Sequence, residues 1–326
     1  MYFDLDDDQR SLASAARDFL GSSASPAAAR AALEDPSAPV LPGRVDLVKS
    51  GFAAITVPES AGGGGGTVLD LAVVAEQAGR VLAGPSLVTF ARAAVLLDGD
   101  EARLAGLVDG SLAVAVHDGG PVLDAVGADR FLALRGEDVV LASGTVTRRP
   151  GIDPTRGLAD VALDEGEVVA AGDSARWERA LLVGRAILAA EDLGTAARAL
   201  EIGVAYTKER HAFGRPIGSY QAVKHALVDA YVEVEQLRSL VWWAAWAADH
   251  APDELPLAAN AAKGAAASAL ERAGETLIQV HGGIGFTWEH DAHLYWRRAK
   301  VDRFLLGDDV SAYDEVARLA VAGATR

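Results

Sequence analysis

The sequence of 326 residues contains no cysteine, which excludes disulfide bonds, thiolate metal sites and a cysteine nucleophile. Basic residues are also few, and the net charge of −16 argues against nucleic acid or an anionic membrane as the main partner. No uncharged run reaches the roughly 18–20 residues of a membrane span. The acidic N-terminus lacks the basic start and apolar core of a signal peptide. We therefore expect a cytoplasmic protein.

The chain contains three regions of different pattern. Apolar residues at helical spacing predict helices in residues 1–108, with loop signals in 31–43. Residues 109–173 contain β-rich stretches between glycines and aspartates, which predict five or six short strands. Helical periodicity then returns in residues 174–326, with helices expected at 175–210, 219–250, 254–281 and 290–324. This order predicts a mostly helical α+β fold of three domains and excludes a parallel α/β sheet.

Five consecutive glycines, Gly62 to Gly66, stand between an apolar run that ends at Pro58 and a helix expected at 68–81. Such a run is a plain linker, a flexible loop or a surface that another group approaches closely. The sequence alone leaves these three interpretations open.

Two further segments are candidates for ligand binding. ERHAFGRPIGSYQ, residues 209–221, interrupts a helical pattern and brings Arg210, His211 and Arg215 together in an acidic chain. The planar donor fork of arginine suits a phosphate, although two surface arginines would give the same pattern. QVHGGIGFTWEH, residues 279–290, fits a helix end or a close approach to a ligand. It is not the GxGxxG of a dinucleotide-binding fold.

The histidines and tryptophans favour structural roles. No second ligand pair stands at metal-binding distance from His290 and His293, so we expect these two residues, His225 and His281 to be solvated or to cap helices. The tryptophans of one expected helix are assigned to the core: Trp242, Trp243 and Trp246.

The order and spacing of these segments resemble the acyl-CoA dehydrogenase family. The resemblance rests on YTKERHAFGRPIGSYQAVKHALVD (206–229), on QVHGGIGFTWEHDAHLYWRRAK (279–300), and on residues 47–85 with their Pro-Glu-x-x-Gly-Gly loop. It covers nearly the whole chain. It implies the acyl-CoA dehydrogenase fold, with N-terminal helices, a small middle β domain and a C-terminal four-helix bundle.

In that family FAD lies across a subunit interface, and one subunit covers the pyrophosphate and adenosine of a cofactor whose flavin ring its neighbour holds. The resemblance implies that Arg210 neutralises the pyrophosphate, that Phe213 packs on apolar cofactor surface, and that the glycines admit close approach. The residues that match the family's cofactor motifs are Arg210, Phe213, Gln221, Gln279, Val280, His281, Gly282 and Gly283.

The catalytic half of the family pattern is missing. The usual glutamate base aligns with Leu306, and the position at which a minority of members keep it aligns with Gly184. Neither side chain can accept a proton. Asp308, Asp309 or Glu178 could replace the base only from displaced positions. The Thr-Glu-Pro-x-x-Gly-Ser segment that holds the flavin ring in the family has no counterpart in residues 114–129.

These departures resemble the short, base-less subunit of actinobacterial α2β2 acyl-CoA dehydrogenases of steroid side-chain catabolism. The resemblance implies a non-catalytic chain that shares FAD with a larger catalytic subunit, which holds the acyl-CoA. Two alternatives stay open. One is a self-sufficient homotetramer with Asp308 or Asp309 as the base, and the other is a flavin-free scaffold of the same fold.

Overall fold

The computed structural model describes residues 4–24, 26–35, 43–84, 86–149 and 151–324. The N-terminal part is helical: α1 Asp7–Ser23, α2 Pro26–Glu34, α3 Arg44–Lys49, α4 Val68–Arg80, α5 Leu87–Leu96 and α6 Glu101–Asp109. Two short 3₁₀ turns, Phe52–Ala54 and Glu59–Ala61, lie between α3 and α4. Most of the expected loop at 31–43 lies outside the described residues.

A mixed sheet follows, in the order β1 Val114–His117, β2 Arg130–Arg135, β3 Asp138–Arg148 and β4 Ala159–Ala170. The first pair is parallel and the other two are antiparallel. The prediction of five or six strands is wrong for this region, because two of the predicted segments form the single strand β3. Gly144 lies inside β3 at a register shift, where an added Cβ would stand 2.8 Å from the carbonyl oxygen of Ala162.

The C-terminal part is a helical bundle of α7 Ser174–Glu209, α8 Gln221–His250, α9 Leu255–His281, α10 Ala292–Asp302 and α11 Asp309–Ala324. The first three predicted helices are confirmed. The single helix expected at 290–324 is wrong, because residues 303–308 form a turn between α10 and α11, in which Leu306 and Gly307 have φ angles of 58° and 97°. Left-handed residues cannot continue a right-handed helix.

This architecture confirms the mostly helical α+β fold. The three tryptophans of α8 are half-buried and pack against the main hydrophobic core of the bundle, as expected. Element limits alone do not define folding units, so the division into domains at residues 108 and 173 stays a prediction.

The five-glycine run folds back on the segment before it. All five of its N–H groups donate to carbonyl oxygens there, and the bonds that reach furthest back are Gly64 to Ala54 (2.9 Å), Gly65 to Val57 (2.9 Å) and Gly66 to Ile55 (2.8 Å). A Cβ on Gly63 would stand 2.2 Å from the carbonyl oxygen of Val57. The run is therefore a close-approach surface within the chain, rather than a flexible loop or a plain linker.

Two further glycines set how α4 packs on α7. A Cβ on Gly79 would stand 1.8 Å from the carbonyl oxygen of Glu191, and a Cβ on Gly194 would stand 1.8 Å from that of Glu76. The hydroxyl of Thr195 donates to the carbonyl of Gly79 at 3.0 Å. The two helices thus cross backbone against backbone, at a spacing that only glycine permits.

A buried ion network joins the three regions of the chain. Arg156, at the end of a 3₁₀ turn between β3 and β4, is fully buried. Its guanidinium donates to the carboxylate of Glu191 in α7 at 2.5 Å and to that of Asp302 in α10 at 2.8 Å. Glu191 also accepts from the hydroxyl of Ser86 (2.7 Å) and from the N–H of Leu87 (2.9 Å) at the start of α5.

Two neighbouring carboxyl groups of this network have pKa values that shift in opposite directions. Burial, together with the charge of Asp302, raises the pKa of Asp192 well above its usual range. Burial alone would also raise the pKa of Asp302, but the Arg156 guanidinium lowers it below the usual value. These directions favour a neutral Asp192 beside an ionised Asp302, and the Nζ of Lys263 donates to the backbone carbonyl of Asp302 at 2.9 Å.

Substitution of Asp192 and of Asp302 by asparagine should change the stability of the fold in opposite directions. Above the ordinary aspartate pKa of 3.8, folding requires Asp192 to take up a proton, so its contribution to stability falls as pH rises toward the raised folded pKa. Asp192→Asn removes this cost and should raise the urea midpoint at pH 7 more than at pH 5. Asp302→Asn leaves Arg156 short of a carboxylate and should cost about 3–5 kcal/mol. A lower midpoint for Asp192→Asn at pH 7 would contradict the assignment.

Candidate functional site

The expected anion segment is an ordered hairpin between α7 and α8, formed by β5 His211–Ala212 and β6 Arg215–Pro216. We call residues 210–216 the arm. The hydroxyl of Tyr220, just before α8, donates to the carbonyl of Ala212 at 3.0 Å, and the guanidinium of Arg215 lies 4.0 Å from the centre of the Tyr220 ring. These contacts hold the tip of the arm in a fixed position.

Phe213 at this tip is 97% exposed and has a φ angle of 51°. An aromatic ring in water and a left-handed non-glycine backbone are both unfavourable. Arg210, at the base of the arm, is also exposed, and no carboxylate in the described part of the chain pairs with its guanidinium. An apolar ring and a free cation on one projecting arm fit a site that a second molecule completes.

The arm and the start of α8 face the end of α9 across a cleft of about 670 Å³, a volume typical of ligand sites. Of the predicted cofactor-binding residues, Phe213, Gln279 and Val280 line this cleft. Sequence reasoning missed Arg272 and Thr276, which also line it. They lie seven and three residues before Gln279 on α9, so the helical period could have found them.

Other predicted site residues lie beside this cleft. Gln221 is exposed at the first position of α8. Gly282 ends α9 with φ 64° and ψ −142°, a conformation essentially confined to glycine. A Cβ on Gly283 would meet no atom within 4 Å. The chain itself therefore does not require a glycine at 283, whereas a ligand that approaches the backbone from outside would.

The histidine expectations are only partly correct. His225 is exposed, and His290 caps α10 by accepting from the N–H of Ala292 at 3.0 Å. His281 and His293 are buried rather than solvated, because aromatic rings cover them, and this burial lowers the pKa of both imidazoles. Within the described ranges, no group of three His, Cys, Asp or Glu residues could hold a metal ion.

The side chain of His281 turns away from the cleft. Its Nδ1 donates to the carbonyl of Leu277 at 2.8 Å, and its ring stacks on Tyr206 with centroids 3.9 Å apart. The ring of His290 also lies against the His281 ring, with centroids 4.2 Å apart. Direct contact between this residue and a cofactor stays a prediction.

The two positions at which the resemblance places a base lie together. A Cβ on Gly184 in α7 would stand 3.1 Å from Cδ1 of Leu306, in the turn after α10. The Nε of Arg185 donates to the carbonyl of Leu306 at 2.8 Å and holds this turn against α7. Leu306 lines a second cleft, of about 700 Å³, between α7 and the sheet. Neither base position offers a proton acceptor to it.

The displaced acids are engaged elsewhere. Asp308 caps α11, since its carboxylate accepts from the N–H of Ser311 at 2.8 Å, and the hydrogen bonds from Ser311 lower the pKa of Asp308. Asp309 forms two 3.0 Å contacts with the guanidinium of Arg303. Glu178 is exposed on α7. None of the three lines the cleft beside Leu306.

An unexpected ion pair lies next to these positions. Arg92 of α5 is 2% exposed, and its two terminal nitrogens contact the carboxylate oxygens of Asp118 at 2.5 and 2.6 Å. Its guanidinium also lies 5.5 Å from the centre of a Trp177 ring. The only sequence signal was an arginine within the apolar run of 87–96, which does not identify a partner 26 residues away.

Two family models match the chain: "Acyl-CoA dehydrogenase, C-terminal domain" over residues 175–321 and "Acyl-CoA dehydrogenase, N-terminal domain" over residues 6–102. The acyl-CoA dehydrogenase IpdE2 of Mycolicibacterium smegmatis is 36% identical over 293 residues, which cover 87% of this chain and 89% of that protein. The chain belongs to the acyl-CoA dehydrogenase family. This membership makes it a flavoprotein oxidoreductase homologue and implies FAD as the cofactor.

Other similar proteins include a longer chain and two solved structures. The acyl-CoA dehydrogenase FadE34 of Mycobacterium tuberculosis is 33% identical over 98% of this chain, but the chain spans only 49% of FadE34. A variant of the Tcur3481-Tcur3483 steroid ACAD superposes with a TM-score of 0.85 at 27% identity, over 98% of this chain and 99% of that one. The ChsE4-ChsE5 complex from Mycobacterium tuberculosis has the same fold (TM-score 0.82, 24% identity, 98% and 99% covered).

The described residues include no helix that is long and apolar enough to cross a membrane.

The capping role of Asp308 predicts different effects of two substitutions. Asp308→Ala removes the acceptor for the N–H of Ser311 and should lower the free energy of unfolding by about 1 kcal/mol. Asp308→Asn should cost much less, because asparagine caps helices as well as aspartate does. Urea unfolding followed by circular dichroism measures both. Equal losses for the two variants would exclude the capping role.

Proposed function

We propose that this chain is the FAD-clamping, non-catalytic subunit of a heteromeric acyl-CoA dehydrogenase that desaturates a CoA thioester between its α and β carbons. The observation that carries the proposal is the contrast between the two halves of the site. The arm presents Phe213 and an unpaired Arg210 to the outside, whereas the base positions, Gly184 and Leu306, have no side chain that accepts a proton. A chain of this kind complements a partner that has a base and lacks the clamp.

The residues of the first cleft fit the phosphate and adenosine part of FAD. Arg210 would pair with the pyrophosphate, because a free guanidinium donates well to phosphate oxygens. Phe213 and Val280 would cover apolar cofactor surface, and the Gly282–Gly283 backbone would lie against the phosphates. When bound, FAD supplies the two-electron acceptor of the reaction. The chain's own contribution is to bind the cofactor, orient it and keep water from it.

The second cleft does not fit the flavin ring and a reacting thioester in the same way. Removal of a proton from the α carbon requires a base within hydrogen-bond distance, and Leu306 and Gly184 provide none. A carboxylate of the partner would therefore carry out that step, on an acyl-CoA that the partner holds.

The relatives support the class of partner and substrate. The Tcur3481-Tcur3483 protein is a steroid ACAD, and ChsE4-ChsE5 is a complex of two differently named chains. FadE34 contains about as many residues outside the match as within it, which is room for a second unit of this size. We infer a larger acyl-CoA dehydrogenase subunit as the partner, an α2β2 assembly, and a CoA thioester with a steroid side chain as the substrate.

Coexpression with the candidate large subunit tests the function directly. We expect a heteromer with one FAD for each pair of unlike chains, and an isolated small chain with little FAD and no turnover. Native mass and flavin absorbance give the stoichiometry. The proposal fails if this chain alone binds FAD fully and dehydrogenates an acyl-CoA.

Removal of the Arg210 guanidinium should weaken the binding of FAD. Arg210→Ala removes a charge-assisted hydrogen bond worth about 1.5–3 kcal/mol, so FAD should bind about ten- to a hundredfold more weakly to the assembled complex. Arg149→Ala is the matched control, since Arg149 is an exposed arginine that pairs with Asp160. Flavin fluorescence during dilution measures the loss. An unchanged affinity in Arg210→Ala would favour the flavin-free scaffold.

The homotetramer alternative predicts that Asp308 or Asp309 is essential for turnover, whereas the proposed function predicts that neither is. Because Asp308 caps a helix and Asp309 pairs with Arg303, we expect Asp308→Asn and Asp309→Asn to keep the turnover of the assembled complex within about twofold, which is about 0.4 kcal/mol of barrier. Steady-state rates with a dye acceptor measure it. Abolished turnover in either variant, with FAD retained, would identify that residue as the base.

A further inference from the structure

The Arg92–Asp118 pair lies beside the two positions at which the family keeps its base: the stem of Arg92 lies against Gly184, and Asp118 lines the same cleft as Leu306. We propose that this ion pair is a plug that closes the chain's own cleft to acyl groups. The proposal rests on the proposed function, since it explains how one subunit of a heteromer is kept from binding the acyl substrate that its partner binds.

The stem of Arg92 fills the space in front of Gly184. A Cβ at position 184 would stand 2.7 Å from Cδ and 2.9 Å from Cγ of Arg92. Such distances are shorter than van der Waals contact, so Gly184 leaves room for Arg92 to cross α7. A carboxylate side chain at 184 would need the volume that this stem occupies. The absence of a carboxylate side chain at position 184 and the burial of Arg92 therefore depend on each other, because both would need the same volume.

The head group of Arg92 is held from two sides. The carboxylate of Asp118, in the loop after β1, accepts hydrogen bonds from both terminal nitrogens of Arg92, and Trp177 of α7 lies beside the guanidinium. Asp118 and Trp177 both line the cleft beside Leu306. The pair therefore ties α5 to the loop after β1 and fixes the inner wall of that cleft.

Two cavities lie near the pair. The cleft of about 700 Å³ contains Trp177, Leu181 and Leu306 in its wall. A second cavity, of about 470 Å³, is lined by Ala91 and Val183 among others. These last two residues directly precede Arg92 and Gly184 in the sequence. Arg92 is thus a buried side chain close to both spaces, and its removal would enlarge the room available to an extended chain.

An acyl chain cannot displace this plug by itself. Separation of the bidentate pair would leave the nearly fully buried Arg92 without its carboxylate, and apolar carbons offer no replacement hydrogen bonds. The plug also predicts that a glutamate at position 306 alone would not create an active site. The acyl group would still be unable to reach the restored base.

Acyl-CoA binding to the intact, FAD-loaded heteromer tests the plug, with octanoyl-CoA as the probe in equilibrium dialysis. The double variant Arg92→Ala/Asp118→Asn removes the stem and both charges, and should bind one more equivalent per pair of unlike chains than the wild type. Arg92→Val/Asp118→Asn should give the same gain. Arg92→Met/Asp118→Asn is the matched control, because its stem still fills the space at Gly184, and it should show no gain.

Two results would overturn the plug. One is an Arg92→Ala/Asp118→Asn or Arg92→Val/Asp118→Asn heteromer that assembles and keeps its FAD, yet binds no more octanoyl-CoA than the wild type. The other is a wild-type heteromer that already binds two equivalents. Failure of the proposed function looks different, since the wild-type chain would then form no heteromer or hold FAD alone. Assembly and flavin content of the wild type are therefore measured first.

Discussion

The ion pairs of Arg156 constrain the rest of this structure. A fully buried guanidinium is tolerable only when its carboxylates are in place, and those come from α7 and α10, while Arg156 itself comes from the sheet region. The same Glu191 carboxylate fixes the first turn of α5 through Ser86 and Leu87. Docking of the sheet, the start of α5 and the end of α10 is thus one event rather than three.

This constraint also explains how the turn that contains Leu306 is held. Asp302 fixes the end of α10, and Arg185 then holds the following turn by the carbonyl of Leu306. The backbone of this turn is thus supported from both sides by contacts that do not involve the side chain of residue 306. These contacts do not depend on which side chain stands at position 306, so leucine is compatible with the fold there.

Sequence patterns predicted the parts of the structure that depend on local periodicity. The long helices of the bundle follow from their 3.6-residue period. The segment that forms the arm was located by its resemblance to a family motif, and its role toward a cofactor stays a proposal. The break at Leu306 was missed because a non-glycine residue adopts the left-handed conformation there, and the strand count failed because Gly144 is accommodated inside a strand.

Long-range effects were beyond prediction for a different reason. The raised pKa of Asp192, the burial of His281 and the pairing of Arg92 with Asp118 each depend on residues far away in the sequence. Composition gives no signal for them, because the same residues on a surface would be solvated and ordinary. Only the packed structure shows which charges meet.

The crossing of α4 and α7 has a genetic consequence. Every codon reached from a glycine codon by one missense change encodes a residue with a Cβ, and at Gly79 or Gly194 this atom would stand 1.8 Å from a carbonyl oxygen. A second mutation in the opposite helix cannot relieve the clash, because the obstructing atom belongs to the backbone. Divergent descendants of this chain can thus change the outer faces of both helices, whereas these two positions have to remain glycine.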